Sequence, residues 1–188
     1  MGGAQQLVYE ITRRMHQSNR DVVIFTGLSD PKKSLSALDN KILEAVYREE
    51  IPVEVIPSLN DRISLISDLK SFFKICALLR CYKPLVVHIH SSKTGILARM
   101  VCKLLNIKKV IYHVHGWSFS RSIGLSRKLY LWLEKLFYIL TTKYIFVCNQ
   151  DMIDFIDLGG NIQIKVKSHI IYPGADFLEL DKQKQFRT

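Results

Sequence analysis

Short β-branched runs alternate with longer amphipathic segments along the whole chain, and no other feature constrains the fold as tightly. Asp21–Thr26 (DVVIFT), Ile51–Ile56 (IPVEVI), Leu85–His90 (LVVHIH), Lys109–His115 (KVIYHVH), Tyr144–Cys148 (YIFVC) and His169–Tyr172 read as strands. Pro52 limits its run to a strand start or an edge. Residues 4–18, Leu38–Glu50, Ser64–Cys81, Lys93–Leu105, Leu125–Leu140 and Asp151–Leu158 read as helices. Strands that alternate with helices through short connections make a mostly parallel sheet with helices on both faces. Ligands of such sheets bind outside the carboxyl ends of the strands. The side chains at those ends therefore carry the functional question.

Forty-eight per cent of the 188 residues are hydrophobic and 23% are charged, which is enough for one packed domain and excludes a disordered or low-complexity chain. Lys and Arg number 27 against 17 Asp and Glu, an excess that suits phosphate groups or an anionic membrane surface. The basic residues are dispersed and no nucleic-acid-binding signature is present, so nucleic acid is not an expected partner. Cys76, Cys81, Cys102 and Cys148 form no CxxC pair and read as reduced thiols. The apolar run Leu129–Thr142 is interrupted by Glu134 and Lys135, and a spanning helix needs about 20 apolar residues. No basic stretch followed by an apolar core opens the chain, and Gln6 stands where N-myristoylation needs Ser or Thr. These readings predict a cytoplasmic protein, peripheral on the inner face of the cell membrane if it meets lipid at all.

Four places could carry chemistry. Gly2 and Gly3 stand at the mouth of the first helix, where close backbone approach and unpaired N–H groups suit a phosphate. In LVVHIHSSK, His88 and His90 share one strand face, His90 ends the strand, and Ser91 or Ser92 can cap the next helix. Lys93 falls in the first turn of that helix, where a cation opposes the dipole unless an anion arrives. HVHGW repeats the pattern: His113 and His115 share a face, His115 ends the strand, and Gly116 allows close approach. On neighbouring strands, His90 and His115 would face one crevice, with His88 and His113 deeper and structural. Finally, Arg127, Lys128 and Lys135 accompany Trp132 on the helix around Leu125–Leu140, which can pack on the sheet, rest on a membrane, or do both with different flanks.

Two HxH pairs at this spacing can also bind zinc, although neither has a carboxylate beside it and neither HxHxDH nor HExxH occurs. The expected metal set is none. No GxSxG and no Cys beside a His support nucleophilic catalysis.

Taken in order, GGAQQLVYEITRRM, then RISLISDLKSFFKICALLRCYKPLVVHIHSSKTGILARMVCKLLNIKKVIYHVHGWSF, then LEKLFYILTTKYIFVCNQDMIDF, then IIYPGAD resemble the N-terminal domain of family 4 glycosyltransferases. The resemblance covers about residues 2–177; HSSKTGILAR followed by VHGWSF is its most specific part, similar to the branch that builds capsular, exopolysaccharide and O-antigen units. It implies the GT-B architecture, two Rossmann-like domains across a cleft, and transfer of a sugar from a nucleotide-diphosphate donor with retention and without a metal. By the same resemblance, Gly2 and Gly3 match the glycine loop near the donor diphosphate. His115 matches the histidine at the reacting centre. His90, Ser91, Lys93 and Gly116 match the sugar-side crevice wall. The implied acceptor is a saccharide, often polyprenyl-linked, which would suit the basic helix around Trp132.

Against the family pattern, the hydrophobic strand before the glycine loop and the second domain with its E-x7-E donor motif do not occur in these 188 residues. Residues 178–188 resemble only the start of an interdomain linker. The expectation is a partial transferase domain, inactive and marginally stable alone, completed by a donor-binding domain or subunit. A non-catalytic module holding an acceptor or partner is the alternative, and a metal-dependent hydrolase built on the HxH pairs is a third.

Overall fold

The computed structural model describes residues 3–27, 37–60 and 64–172. Gly2 and the segment from 173 onward, including the expected linker, lie outside the described residues. Among the described residues six strands and eight α-helices follow in this order: α1 Gly3–Gln17, β1 Ile24–Gly27, α2 Ala37–Arg48, β2 Val53–Ile56, α3 Leu65–Tyr82, β3 Val87–Ile89, α4 Ser92–Leu104, β4 Val110–Val114, α5 Ser118–Arg121, α6 Gly124–Phe137, β5 Lys143–Phe146, α7 Asn149–Asp157, α8 Ile164–Lys167 and β6 Ser168–Ile170.

Every strand pair is parallel, but the strands form two ladders rather than one. β1 pairs with β2, Ile24 opposite Val53. β3, β4, β5 and β6 pair in that order, Val87 opposite Val110, Ile111 opposite Lys143, and Tyr144 opposite Ser168. Among the described residues no ladder joins β1 to β3, so each is an edge. Proline sets where β2 begins: Pro52 has no N–H to give, its carbonyl accepts from Ile24 at 2.9 Å, and pairing starts at Val53.

α3 and the loop after β2 couple the two ladders. Ser64 caps α3 by accepting from the Ser67 amide, while the Asp68 carboxylate accepts from the Ser64 amide at 3.2 Å. Ser67 and Ser71 reach from α3 to Ser58, at 2.7 and 2.9 Å. Tyr82 stacks at 5.6 Å on Phe25 of β1 and donates to Glu54 of β2. Gly27 ends β1 where the same loop crosses: an added Cβ would lie 1.9 Å from the Leu59 carbonyl. Ile56 and Leu59 therefore share one apolar cluster with Ile75 and Leu79 of α3 and with Ile89, Tyr112 and Phe146 of the larger ladder.

The aromatic helix is shorter than its sequence pattern predicts. It ends at Phe137, and Tyr138–Leu140 continue as a tighter 3-10 turn in which the Thr141 amide donates to the Tyr138 carbonyl at 3.2 Å. Four-residue α5 and α8 carry too little periodicity to be read from sequence.

Candidate functional site

In a ladder with period two, alternate residues of neighbouring strands face the same side. Val87 and Ile89, Tyr112 and Val114, Tyr144 and Phe146 take one face; His88, His113 and Ile145 take the other, with His90 and His115 just past the strand ends. The parallel order brings those ends together. His90 Nδ1 lies 3.1 Å from His115 Nε2, so one imidazole donates to the other. His88 and His113 stack behind them at 5.6 Å, and His113 and His115 at 4.5 Å.

The expectation that His90 and His115 face one crevice is met, and the deeper pair joins them in one four-imidazole cluster. Burial, with the neighbouring imidazoles adding to it, holds His90 down to about 2. It holds His88 and His113 down to about 4. Burial and then the Arg121 guanidinium push His115 below its ordinary value, against the Asp151 carboxylate. Burial thus favours the uncharged form of all four rings. His113 is 3% exposed, yet both of its ring nitrogens, and Nε2 of His88, lack a hydrogen-bond partner among the described residues.

Around His115 the backbone is shaped by two residues. Gly116 has φ +99°, a region that favours glycine, and an added Cβ would stand 2.8 Å from Arg121 Nη2. Arg121, on α5, donates to the His115 carbonyl at 2.9 Å and is exposed. The close neighbour of Gly116 is thus a guanidinium. Sequence reasoning missed Arg121, which sits in an irregular SRSIG stretch with no local pattern. Trp117 anchors the turn: fully buried, it stacks at 5.2 Å on Phe119 and on Phe155, and its indole N–H donates to the Asp151 carbonyl at 2.6 Å.

The β3 end departs from expectation in two respects. Ser91 is the N-cap of α4 but makes no side-chain capping bond, and Ser92 instead accepts from the Tyr112 hydroxyl at 3.0 Å. Lys93 is paired with Asp68 at 2.7 Å and donates to the Asn60 carbonyl at 2.7 Å. That anion comes from α3, so the charge at this helix start is balanced from within the protein. Gly3 opens α1 exposed, with nothing within 4 Å of an added Cβ.

On the opposite face, Arg99 of α4 and Glu134 of α6 form a wholly buried ion pair at 2.8 Å. Arg99 also donates to the Gly95 carbonyl and lies 4.8 Å above the Tyr112 ring. Burial pushes the Glu134 carboxyl above its usual range, and the Arg99 guanidinium opposes it. Glu134, an interruption in an apolar run by sequence, is the inner bolt of α6. The outer side of α6 and of the 3-10 turn after it exposes Leu125, Leu129, Trp132, Leu136 and Ile139, spaced four, three, four and three, beside exposed Arg127, Lys128 and Lys135. Among the described residues no helix is long and apolar enough to cross a membrane.

Residues 1–177 match the family model Glycosyltransferase Family 4. A stretch of 97 residues, 51% of the chain, is 42% identical to the Escherichia coli UDP-Gal:alpha-D-GlcNAc-diphosphoundecaprenol alpha-1,3-galactosyltransferase, of which it spans 25%. The fold is similar to that of a glycosyltransferase from Rickettsia africae (TM-score 0.65, 16% identity, covering 96% of this chain and 42% of that one). It is also similar to Anabaena HepE in complex with UDP (TM-score 0.62, 17% identity, 98% and 47%). The chain thus spans just under half of these solved structures and a quarter of the curated relative.

Proposed function

The chain belongs to glycosyltransferase family 4, and on that premise we propose that it is the acceptor-side domain of a retaining GT-B transferase. Its sugar comes from a nucleoside-diphosphate sugar and goes to a saccharide acceptor carried on a polyprenyl diphosphate. The observation that carries the reading is the contact of 3.1 Å between His90 and His115 at adjacent strand ends. It fixes a neutral, half-buried imidazole where an α/β sheet binds its ligand.

His115 is the catalytic residue in this reading. A neutral imidazole keeps one N–H and one lone pair. With His90 holding Nε2, Nδ1 is left to meet a hydroxyl of the transferred sugar. Arg121 places positive charge beside that point, where a phosphate oxygen of donor or acceptor would gain from it. Gly116, having no Cβ, lets the Arg121 guanidinium reach the His115 carbonyl. Lys93 lines the wall of the crevice, its charge offset by Asp68. Gly3, which opens α1, and Gly2 before it in the sequence take the diphosphate of the donor. No metal enters this reaction: charge on the leaving diphosphate would be met by the cations above and by the partner half.

That half, carrying an E-x7-E donor motif, is supplied by further sequence or by a separate subunit. The relatives support this, since the chain matches only about half their length. The lipid-linked acceptor is supported by the E. coli relative and by the exposed apolar stripe of α6. Flanked by Arg127, Lys128 and Lys135, that stripe has the chemistry of a surface that rests on an anionic membrane, the inner face of the cell membrane in a cytoplasmic enzyme.

The test joins the chain to a donor-binding half and follows transfer of galactose from UDP-galactose to GlcNAc-diphosphoundecaprenol, with other nucleotide sugars in parallel. Product from any donor supports the reading. Acceptor binding without product from any donor would make the chain a non-catalytic acceptor-binding module instead.

A further inference from the structure

We propose that His88, His90 and His113, with His115 as a fourth ligand, bind a borderline divalent cation of the zinc class, and that the bound cation inhibits the transferase. Ligand nitrogens of the first three all lie within 4.8 Å of one another. The fourth is already placed: the 3.1 Å between His90 Nδ1 and His115 Nε2 is close to the edge, about 3.3 Å, of a tetrahedron with zinc–nitrogen bonds of about 2.0–2.1 Å. Small rotations about the side-chain torsions of His88 and His113 bring the other corners in, since their rings already pack at 4.2 to 5.6 Å from His90 and from each other.

Unpaired nitrogens give the independent reason. A buried polar atom is nearly always hydrogen-bonded. His113, 3% exposed, leaves both ring nitrogens without a partner, and His88 leaves Nε2. A cation would use one lone pair from each ring. An all-imidazole set selects zinc, copper, nickel or cobalt over magnesium and calcium. It holds no carboxylate to act as a general base on a bound water, so the set fits a binding site and not a hydrolytic centre. A cation there would take the lone pairs of His90 and His115 and remove His115 from the crevice. The inhibition rests on the transferase reading; the binding does not.

The experiment uses the full chain stripped with a chelator. Zinc titrated by calorimetry should bind one equivalent, magnesium should give no heat, and His88→Ala and His113→Ala should each weaken zinc at least tenfold. Failure to reach one equivalent, or unchanged affinity in both variants, overturns the site. Should either variant fail to fold by circular dichroism, cobalt added to the unaltered chain decides: intense visible bands of tetrahedral cobalt support the site, and the pale spectrum of octahedral cobalt overturns it. In the assembled transferase, zinc should abolish transfer and chelator restore it; zinc bound without inhibition keeps the site and overturns the inhibition.

Discussion

On one face of the four-stranded ladder, Tyr112, Tyr144 and Phe146 lie buried beneath α4 and α6, and the charged pair inside, Arg99 with Glu134, is bonded to itself, to Gly95 and to Tyr112. On the other face, His113 is buried and His88, His90 and His115 are half-buried, with both nitrogens of His113 and Nε2 of His88 unpaired among the described residues. Both faces are built by the same strands and the same period of two, yet the ion pair leaves only Arg99 Nη1 without a partner among the described residues while His113 leaves both of its ring nitrogens open. Where polar groups are bonded internally, the structure locks helices to a sheet. Where they are left open, as on His88 and His113 behind the strand ends, they are available to a ligand. That contrast is the physical ground for proposing one face as stabilising and the other as reactive.

The sharpest way to break the contrast is to unpair the bonded face. Glu134→Ala leaves Arg99 charged, buried and alone, and should cost about 3–5 kcal/mol in denaturant titration. The double variant Arg99→Met with Glu134→Leu should recover most of that loss. If Glu134→Ala were as stable as the native chain, the bolt would have no structural role.

Acid acts on the other face. The folded values of about 4 for His88 and His113 and about 2 for His90 lie below the ordinary 6.5, so the unfolded chain takes up protons first. This contribution to stability should be complete above about pH 6.5 and be lost as pH falls toward 4, by roughly 2 kcal/mol for each imidazole at pH 5. His113→Phe should flatten that dependence, with Arg121 and Asp151 still present near His115 as the remaining charged groups. A profile unchanged by the substitution would place the acid sensitivity elsewhere.

Smaller effects are expected from the periphery. Lys128→Glu or Trp132→Ser should weaken co-sedimentation with anionic vesicles by about tenfold, at roughly 1 kcal/mol for each charge near the surface, and should leave neutral vesicles unaffected for the charge change. Equal sedimentation by both variants would remove α6 from the membrane. Lys93→Ala should change the affinity for an anionic ligand by less than about threefold, because Asp68 already offsets the charge of that lysine. A large loss would mean that ligand displaces Asp68.

Much of this organisation is legible in the sequence because periodicity is local. The order of strands and helices, the shared face of each HxH pair and the strand-end positions of His90 and His115 all follow from counting by two. What depends on a distant partner is hidden. Arg99 stands within a recognisable segment, yet nothing nearby announces that its guanidinium meets Glu134, thirty-five residues on. Lys93 reads as a waiting cation until α3 brings Asp68 to it. Gly116 reads as room for a ligand until Arg121 folds back over it. The split into two ladders is equally a matter of which strands find neighbours, and no single run of β-branched residues states that.

The central claim is that the imidazole at the end of β4 acts in sugar transfer and is not there to hold the fold. The most direct measurement compares His115→Ala with the unaltered chain, each joined to a donor-binding half, for both transfer rate and thermal midpoint. Transfer should fall by about 10²–10⁴-fold while the midpoint stays within a few degrees. Equal transfer rates, or a loss of transfer that tracks a collapse of the midpoint, would contradict the account.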